Sequence, residues 1–458
     1  MYRFLLSLVL CVEVPAAETA DWIISAGHVI TMDPERRVIA GGAVAVRGRT
    51  IAGVGTLAEI NKQFTARQRI NRPEAILAPG LVNTHNHAPM SLFRGIADDM
   101  RLQDWLEKFI FPAEAKNVTA EFCRWGTRLA VLEMLLSGTT TYTDMYYFED
   151  VIAEETRNAG MRGVLGETVI GFPVPDAKTP AAALAFAENY IQRFAKDALI
   201  TPAIAPHAVY TVPADVLKQA RALANKYGVP LLIHLSETKR ENVEAEAKHR
   251  MSPTRLLDSL GILNGRTLGA HGVWLDDADL DILRKRGTGI AHCPSSNMKL
   301  ASGAAPVVKQ LRAGLNVGLG TDGPAGSNND FSLFEEMDLA AKLQKVSLLD
   351  PQALPAKDAL AMATIYGARA LGMGDRIGSL EKGKLADLIV VRTDQPHALP
   401  MYDPYSQMVY ALKGSDVRDV MINGRLVVSS GMPLTLQPGP ILAKAKEYHQ
   451  KILASLRN

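Results

Sequence analysis

Ile76-Leu77-Ala78-Pro79-Gly80-Leu81-Val82-Asn83-Thr84-His85-Asn86-His87 is an apolar run that ends in two imidazoles one residue apart. Side chains two apart on a strand share a face, so both rings point the same way where the strand ends. The same arrangement recurs downstream. Apolar strands are predicted over residues 76–84, 139–145, 162–168, 200–207, 230–237, 268–272, 288–293 and 317–322, with helical patterns between them. The clearest helix starts at Thr119, a good N-cap, runs through Phe122, Leu129, Leu132 and Leu136, and stops at Gly138. Another covers residues 214–227 and ends at Gly228. Eight strands alternating with helices is the count of a closed parallel (β/α)₈ TIM barrel, an α/β fold whose chemistry sits at the C-terminal ends of its strands.

The flanks read differently. Residues 21–32 and 42–54 are strand-like, with turn signals at Asp33-Pro34 and Arg47-Gly48-Arg49. Near the other end, residues 387–391 form an apolar strand, and residues 420–428 a hairpin turning at Asn423-Gly424. Two β-rich ends around a long βα middle predict that residues 17–75 and 376–431 meet in one small β-sandwich. The barrel, residues 76–375, is then inserted between them, and residues 432–458 form a helical tail. A chain of 458 residues that is 47% hydrophobic suits one large domain with a smaller one attached.

Residues 1–16 read as a signal peptide: Arg3 precedes an apolar run over residues 4–12, and Val14 and Ala16 are small residues of the kind a signal peptidase reads. Glu13, beside that run, is atypical, and a plain apolar leader on a cytoplasmic enzyme is the competing reading. Export would be to the periplasm or beyond. No other stretch is apolar for the ~20 residues of a membrane span. The net charge of +2, with dispersed basic residues, implies neither nucleic acid nor an anionic membrane as partner. Three cysteines make no disulfide framework.

Chemistry-bearing residues fall at the predicted strand ends. Beside His85 and His87 stand His207 after strand four, His234-Leu235-Ser236-Glu237 after strand five, His271 after strand six and Asp322 after strand eight. Taken singly, each has a bland reading. A histidine can satisfy a backbone carbonyl, and an aspartate before glycine is a common turn residue. Together they argue otherwise, because the chain has only 10 histidines, and these five, with His292 besides, end predicted barrel strands. Imidazoles with one carboxylate suit Zn²⁺. His292 and Cys293 are read as packing the end of strand seven, and Cys123 as helix core.

Pro79-Gly80-Leu81-Val82-Asn83-Thr84-His85-Asn86-His87, His234-Leu235-Ser236-Glu237, His292-Cys293-Pro294-Ser295-Ser296-Asn297 and Gly320-Thr321-Asp322-Gly323 resemble the amidohydrolase superfamily, in its aminohydrolase and chlorohydrolase branch. Ser327-Asn328-Asn329-Asp330, Phe334-Glu335-Glu336-Met337 and the stretch from Ile377 to Leu388 are similar to S-adenosylhomocysteine/5′-methylthioadenosine deaminases. The resemblance runs from Asp21 to about Gly431. It implies a single metal on His85, His87, His234 and Asp322, Zn²⁺ with Fe²⁺ as the alternative, and a homo-oligomer. It implies Glu237 as proton shuttle, His271 as the group that orients the attacking water, and Asp322 as acceptor of that water's proton. Glu114 is then a ribose ligand and His207 a further substrate contact. Trp105 is a possible stacking partner for a purine, or simple helix packing.

The function so implied is hydrolytic deamination of an adenine nucleoside: 5′-methylthioadenosine, 5′-deoxyadenosine, adenosine or S-adenosylhomocysteine. The first three are favoured, because no arginine lies between Arg162 and Arg193 to clamp an amino-acid carboxylate. The alternatives are deamination of guanine or another aminated heterocycle, s-triazine dechlorination, and a non-catalytic scaffold. Strand four ends without lysine, at Ala205-Pro206-His207, which disfavours a binuclear centre.

Overall fold

The computed structural model describes residues 17–456. The leader read over residues 1–16 lies outside them. Eight parallel strands close a barrel: Leu81–Asn86, Thr139–Tyr146, Arg162–Val169, Ile200–Pro206, Leu231–Leu235, Thr267–His271, Gly289–His292 and Val317–Leu319. Barrel strands one and eight complete the ring through Leu319 against Asn83. The first three strands are buried along their whole length, as strands covered on both faces must be.

Helix boundaries follow the local chemistry. The helix Ala120–Leu136 begins where the Thr119 side chain accepts the Phe122 amide. The helix Ala214–Tyr227 ends at Gly228, whose φ of 65° lets the chain leave in a left-handed turn. The C-terminal helix Pro438–Leu456 packs Tyr448 edge-on against Phe122 at 5.6 Å between ring centroids.

The two chain ends meet, as expected, and pair into one continuous mixed sheet. Strand Glu18–Ile30 runs parallel to Phe64–Pro79, and Leu388–Arg392 pairs antiparallel with the latter's end, residues 75–79. The Asn423-Gly424 turn joins Val417–Ile422 to Arg425–Ser429, with φ of 54° and 76° at its two residues, the left-handed pair a tight hairpin needs.

Two strand readings need correction. Residues 76–84 are not one strand: the chain leaves the end sheet at Pro79 and enters the barrel at Leu81. The break is at Gly80, where a Cβ would collide with the Thr140 side chain. Strand eight stops at Leu319, so Asp322 sits beyond it in a left-handed turn rather than on the strand.

Barrel and end sheet are tied by a buried ion pair. Arg162 Nε and Nη2 donate to the two oxygens of Asp387 at 2.8 and 3.1 Å, with both side chains at most 2% exposed. Asp387 also accepts the Asn423 amide at 2.6 Å. Among the described residues no helix is long and apolar enough to cross a membrane.

Candidate metal centre and active site

The histidines converge because their strands do. Donor atoms of His85, His87 and Asp322 lie within 4.8 Å of one another, and so do those of His85, His234 and His271. The Nε2 atoms of His85 and His87 stand 3.3 and 3.2 Å from Asp322 Oδ1. Backbone carbonyls hold the outer nitrogens: His87 Nδ1 donates to Met145 O at 2.7 Å and His234 Nδ1 to His207 O at 2.8 Å. Each of those bonds fixes the ring's orientation and turns Nε2 toward the cluster, where a metal ion can take a proton's place.

His85 has no exposure and no hydrogen-bond partner on either ring nitrogen. An orphaned pair of buried polar atoms is costly unless something occupies the site. Three imidazole nitrogens and a carboxylate around that point fit a divalent cation of the zinc class.

The electrostatics agree. Burial drives His85 down to about 4, against the pull of Asp322, so its ring is neutral and free to ligate. Burial works on His87 too, but the hydrogen bond and charge of Asp322 outweigh it and push that ring up to about 9. Burial would raise Asp322, yet His85 and His87 hold it well below the usual carboxylate range. The carboxylate is thus anionic and needs a positive neighbour.

The site carries backbone strain. Ser236, His271 and Asp322 have φ of 48°, 74° and 59°, a region few residues other than glycine adopt. Each is braced. Glu241 accepts the amides of Ser236 at 3.2 Å and Glu237 at 2.8 Å. Asn297 Oδ1 accepts His271 Nδ1 at 3.1 Å, and Ser296 Oγ donates to Asp322 Oδ2 at 2.7 Å.

One cavity is lined by His87, His207, His234, His271, Asp322, Glu237, Glu114 and Trp105. Glu237 Oε2 lies 3.9 Å from His271 Nε2. Burial raises its pKa, with His271 opposing and Asp322 adding to the rise. Glu114, on the helix Phe111–Asn117, is also raised by burial, to about 7, although Tyr146 pulls the other way. His207 Nδ1 contacts Thr211 Oγ1 at 2.8 Å, and burial lowers its pKa to about 3. Trp105 is 6% exposed, and its indole N–H donates to Ala325 O at 2.9 Å, tying its short helix to the loop after strand eight.

His292 ends strand seven, fully buried, and is not among the residues lining the cavity. No lysine or arginine is among the described residues that line it, and Arg162 is committed to Asp387. Sequence reasoning passed over the bracing groups. Ser296 and Asn297 lay inside a quoted motif without a role, and Tyr146 and Tyr147 stand at a barrel strand end, a position that signals function. Glu241 follows Thr238 at capping-box spacing, and Thr238 does accept its amide at 3.1 Å, but its carboxylate serves the Glu237 loop instead.

Residues 76–427 match the amidohydrolase family. The chain is 45% identical to a 5-methylthioadenosine/S-adenosylhomocysteine deaminase of Syntrophus aciditrophicus, over 96% of this chain and 99% of that protein. It is 42% identical to a 5′-deoxyadenosine deaminase of Methanothermobacter thermautotrophicus, over 85% and 90%. A crystal structure of an adenosine deaminase from Xanthomonas campestris with bound zinc superposes with a TM-score of 0.94, at 38% identity, over 96% of this chain and all of that one.

Proposed function

This chain belongs to the amidohydrolase family, and on that premise we propose that it is a metal-dependent deaminase of adenine nucleosides, releasing ammonia and the inosine analogue. One observation carries the reading: Glu237, a buried carboxyl group with a raised pKa, faces the metal-ligand cluster in the same cavity as Glu114. A buried acid whose proton is held more tightly than usual, beside a water-activating centre, is what hydrolysis of an amidine needs.

His85, His87, His234 and Asp322 would hold a single Zn²⁺, or Fe²⁺ by the same donor set. Bound there, the ion supplies the Lewis acidity that lowers the pKa of a water to about 7. Glu237 donates its proton to the ring nitrogen beside the carbon that bears the amine, so negative charge does not build up on the purine. His271, whose Nδ1–H is given to Asn297, presents Nε2 as an acceptor that holds the attacking water in line. Asp322 takes that water's proton and passes it to the departing amine, which leaves as ammonia, while the remaining hydroxyl proton returns to Glu237 as the carbonyl forms. Its other oxygen stays fixed by Ser296. Glu114 accepts hydroxyls of the sugar, and His207, anchored by Thr211, offers Nε2 to the base.

Guanine and chloro-s-triazines carry no sugar to use the acceptor capacity that Glu114 keeps beyond its bonds from Tyr146 and Tyr147, which favours a nucleoside. The three relatives, named for 5-methylthioadenosine/S-adenosylhomocysteine, 5′-deoxyadenosine and adenosine deaminases, support the same substrate class. The absence of lysine and arginine from the described residues that line the cavity favours substrates with an uncharged 5′ group.

The test is a deaminase assay of zinc-loaded protein on adenosine, 5′-methylthioadenosine, S-adenosylhomocysteine, guanine and a chloro-s-triazine, followed by absorbance and ammonia release. Turnover of the adenine nucleosides supports the reading. Turnover of guanine or the triazine alone would overturn it.

A further inference from the structure

Tyr146 and Tyr147 are adjacent in sequence, yet both hydroxyls reach one carboxyl group. Tyr146 Oη donates to Glu114 Oε1 at 2.8 Å and Tyr147 Oη to Glu114 Oε2 at 3.4 Å. Neighbours on a strand point to opposite faces, so such convergence requires the strand to end between them. It does: barrel strand two stops at Tyr146, and Phe148 takes a left-handed backbone with φ of 57°, an outlier for a bulky residue.

Three acids outside the metal centre hold that turn. Glu149 Oε1 accepts the Tyr146 amide at 3.1 Å, Asp176 Oδ2 the Phe148 amide at 2.7 Å, and Glu167 Oε2 the Glu149 amide at 3.1 Å. Glu149 and Glu167 are wholly buried. The strained turn is therefore over-determined by hydrogen bonds, as strain kept at a working site must be.

Glu114, Tyr146 and Tyr147 are each at most 4% exposed, and all three line the cavity. With each oxygen tied to one phenol, a carboxylate keeps a second lone pair on each, side by side. That is the acceptor pattern for the two donors of a vicinal diol. A carboxyl group free to rotate would lose it.

We propose that Tyr146 and Tyr147 are positioning residues that lock Glu114 to read both hydroxyls of a ribose, so that the enzyme rejects 2′-deoxynucleosides. The inference rests on the deaminase reading above. Its physical basis is that a sugar lacking one hydroxyl leaves a buried acceptor unpaired, and such a site rejects the analogue far more strongly than a missing methylene would.

The test compares wild type, Tyr146→Phe, Tyr147→Phe and the double variant on adenosine and 2′-deoxyadenosine, with thermal melting to establish that each variant folds. Wild type is expected to prefer adenosine in kcat/KM by about a hundredfold or more. Each single variant should raise KM for adenosine about tenfold with kcat within about twofold, and the double variant should erase most of the ribose preference. Folded variants that keep the wild-type preference, or that lose kcat at unchanged KM, would overturn the proposal while leaving the deaminase reading intact. A wild-type enzyme active on a sugar-free amine and inert on both nucleosides would overturn both.

Discussion

His87 Nε2 and Asp322 Oδ1 stand 3.2 Å apart, one carried by the loop after barrel strand one and the other by the turn after strand eight, where the barrel closes on itself. A proton between them explains why His87 is pushed up to about 9 and Asp322 is held down. A divalent ion meets the same electrostatic need, with the neutral rings of His85 and His234 beside it.

Asp322→Asn should therefore lose most of the bound zinc and lower kcat/KM by about a thousandfold or more, since the Lewis-acid contribution is worth several kcal/mol. Metal analysis of the purified protein and a steady-state assay check this. Chelation of the wild type should likewise abolish activity and lower the melting temperature, because a ligand that binds only the folded state stabilises it. A metal-free protein of undiminished activity would refute the centre.

Glu237→Gln keeps size and shape but has no proton to donate. We expect kcat to fall by about 10²–10⁴, with zinc content unchanged and KM within about threefold. A loss of zinc instead would place Glu237 among the ligands.

Asn297→Ala removes the acceptor of His271 Nδ1 and frees the ring to turn. Loss of an orienting partner of this kind costs about 10–100-fold in activity. The loss should fall on kcat, not KM, and Asn297→Asp, which retains an acceptor, should recover part of it.

Glu336 is buried, and its carboxylate accepts Ser295 N at 3.1 Å and Asn328 Nδ2 at 3.0 Å. Burial raises its pKa from 4.5 to about 8. The folded protein thus keeps a proton that the unfolded chain releases, so the stability it contributes is complete below about pH 4.5 and is lost as pH rises through about 8. Melting temperature should fall over that window, and Glu336→Gln should flatten the slope. Glu114 and Glu241, raised to about 7 and about 8, act with the same sign, so the flattening is partial.

Asp387→Ala strands the Arg162 guanidinium in the interior between barrel and end sheet. Breaking a buried pair from one side costs about 3–5 kcal/mol, to be read from the urea midpoint at constant slope. Because the pair lies away from the cavity, KM should not change in the variant that remains folded.

The barrel and the cluster of histidines at its mouth were legible because both rest on local signals. Strand and helix periods, the Thr119 and Gly228 caps, and histidines at strand ends all lie within a few residues of one another. The long strand Phe64–Pro79 was legible only at its end. Its earlier part carries Arg67, Arg69 and Arg72 and only a sparse apolar face of Phe64, Ala66 and Ile70, and its pairing with residues 18–29 is a long-range choice.

What the sequence by itself determined was the repeating βα pattern and the residue types at the strand ends, since periodicity and composition act over short stretches of chain. Only the tertiary structure decided which nitrogen of each histidine faces inward, that Arg162 serves Asp387, and that Tyr146 and Tyr147 meet on Glu114. Those outcomes depend on hydrogen bonds between groups remote in the chain, and on burial that exists only once the barrel has closed.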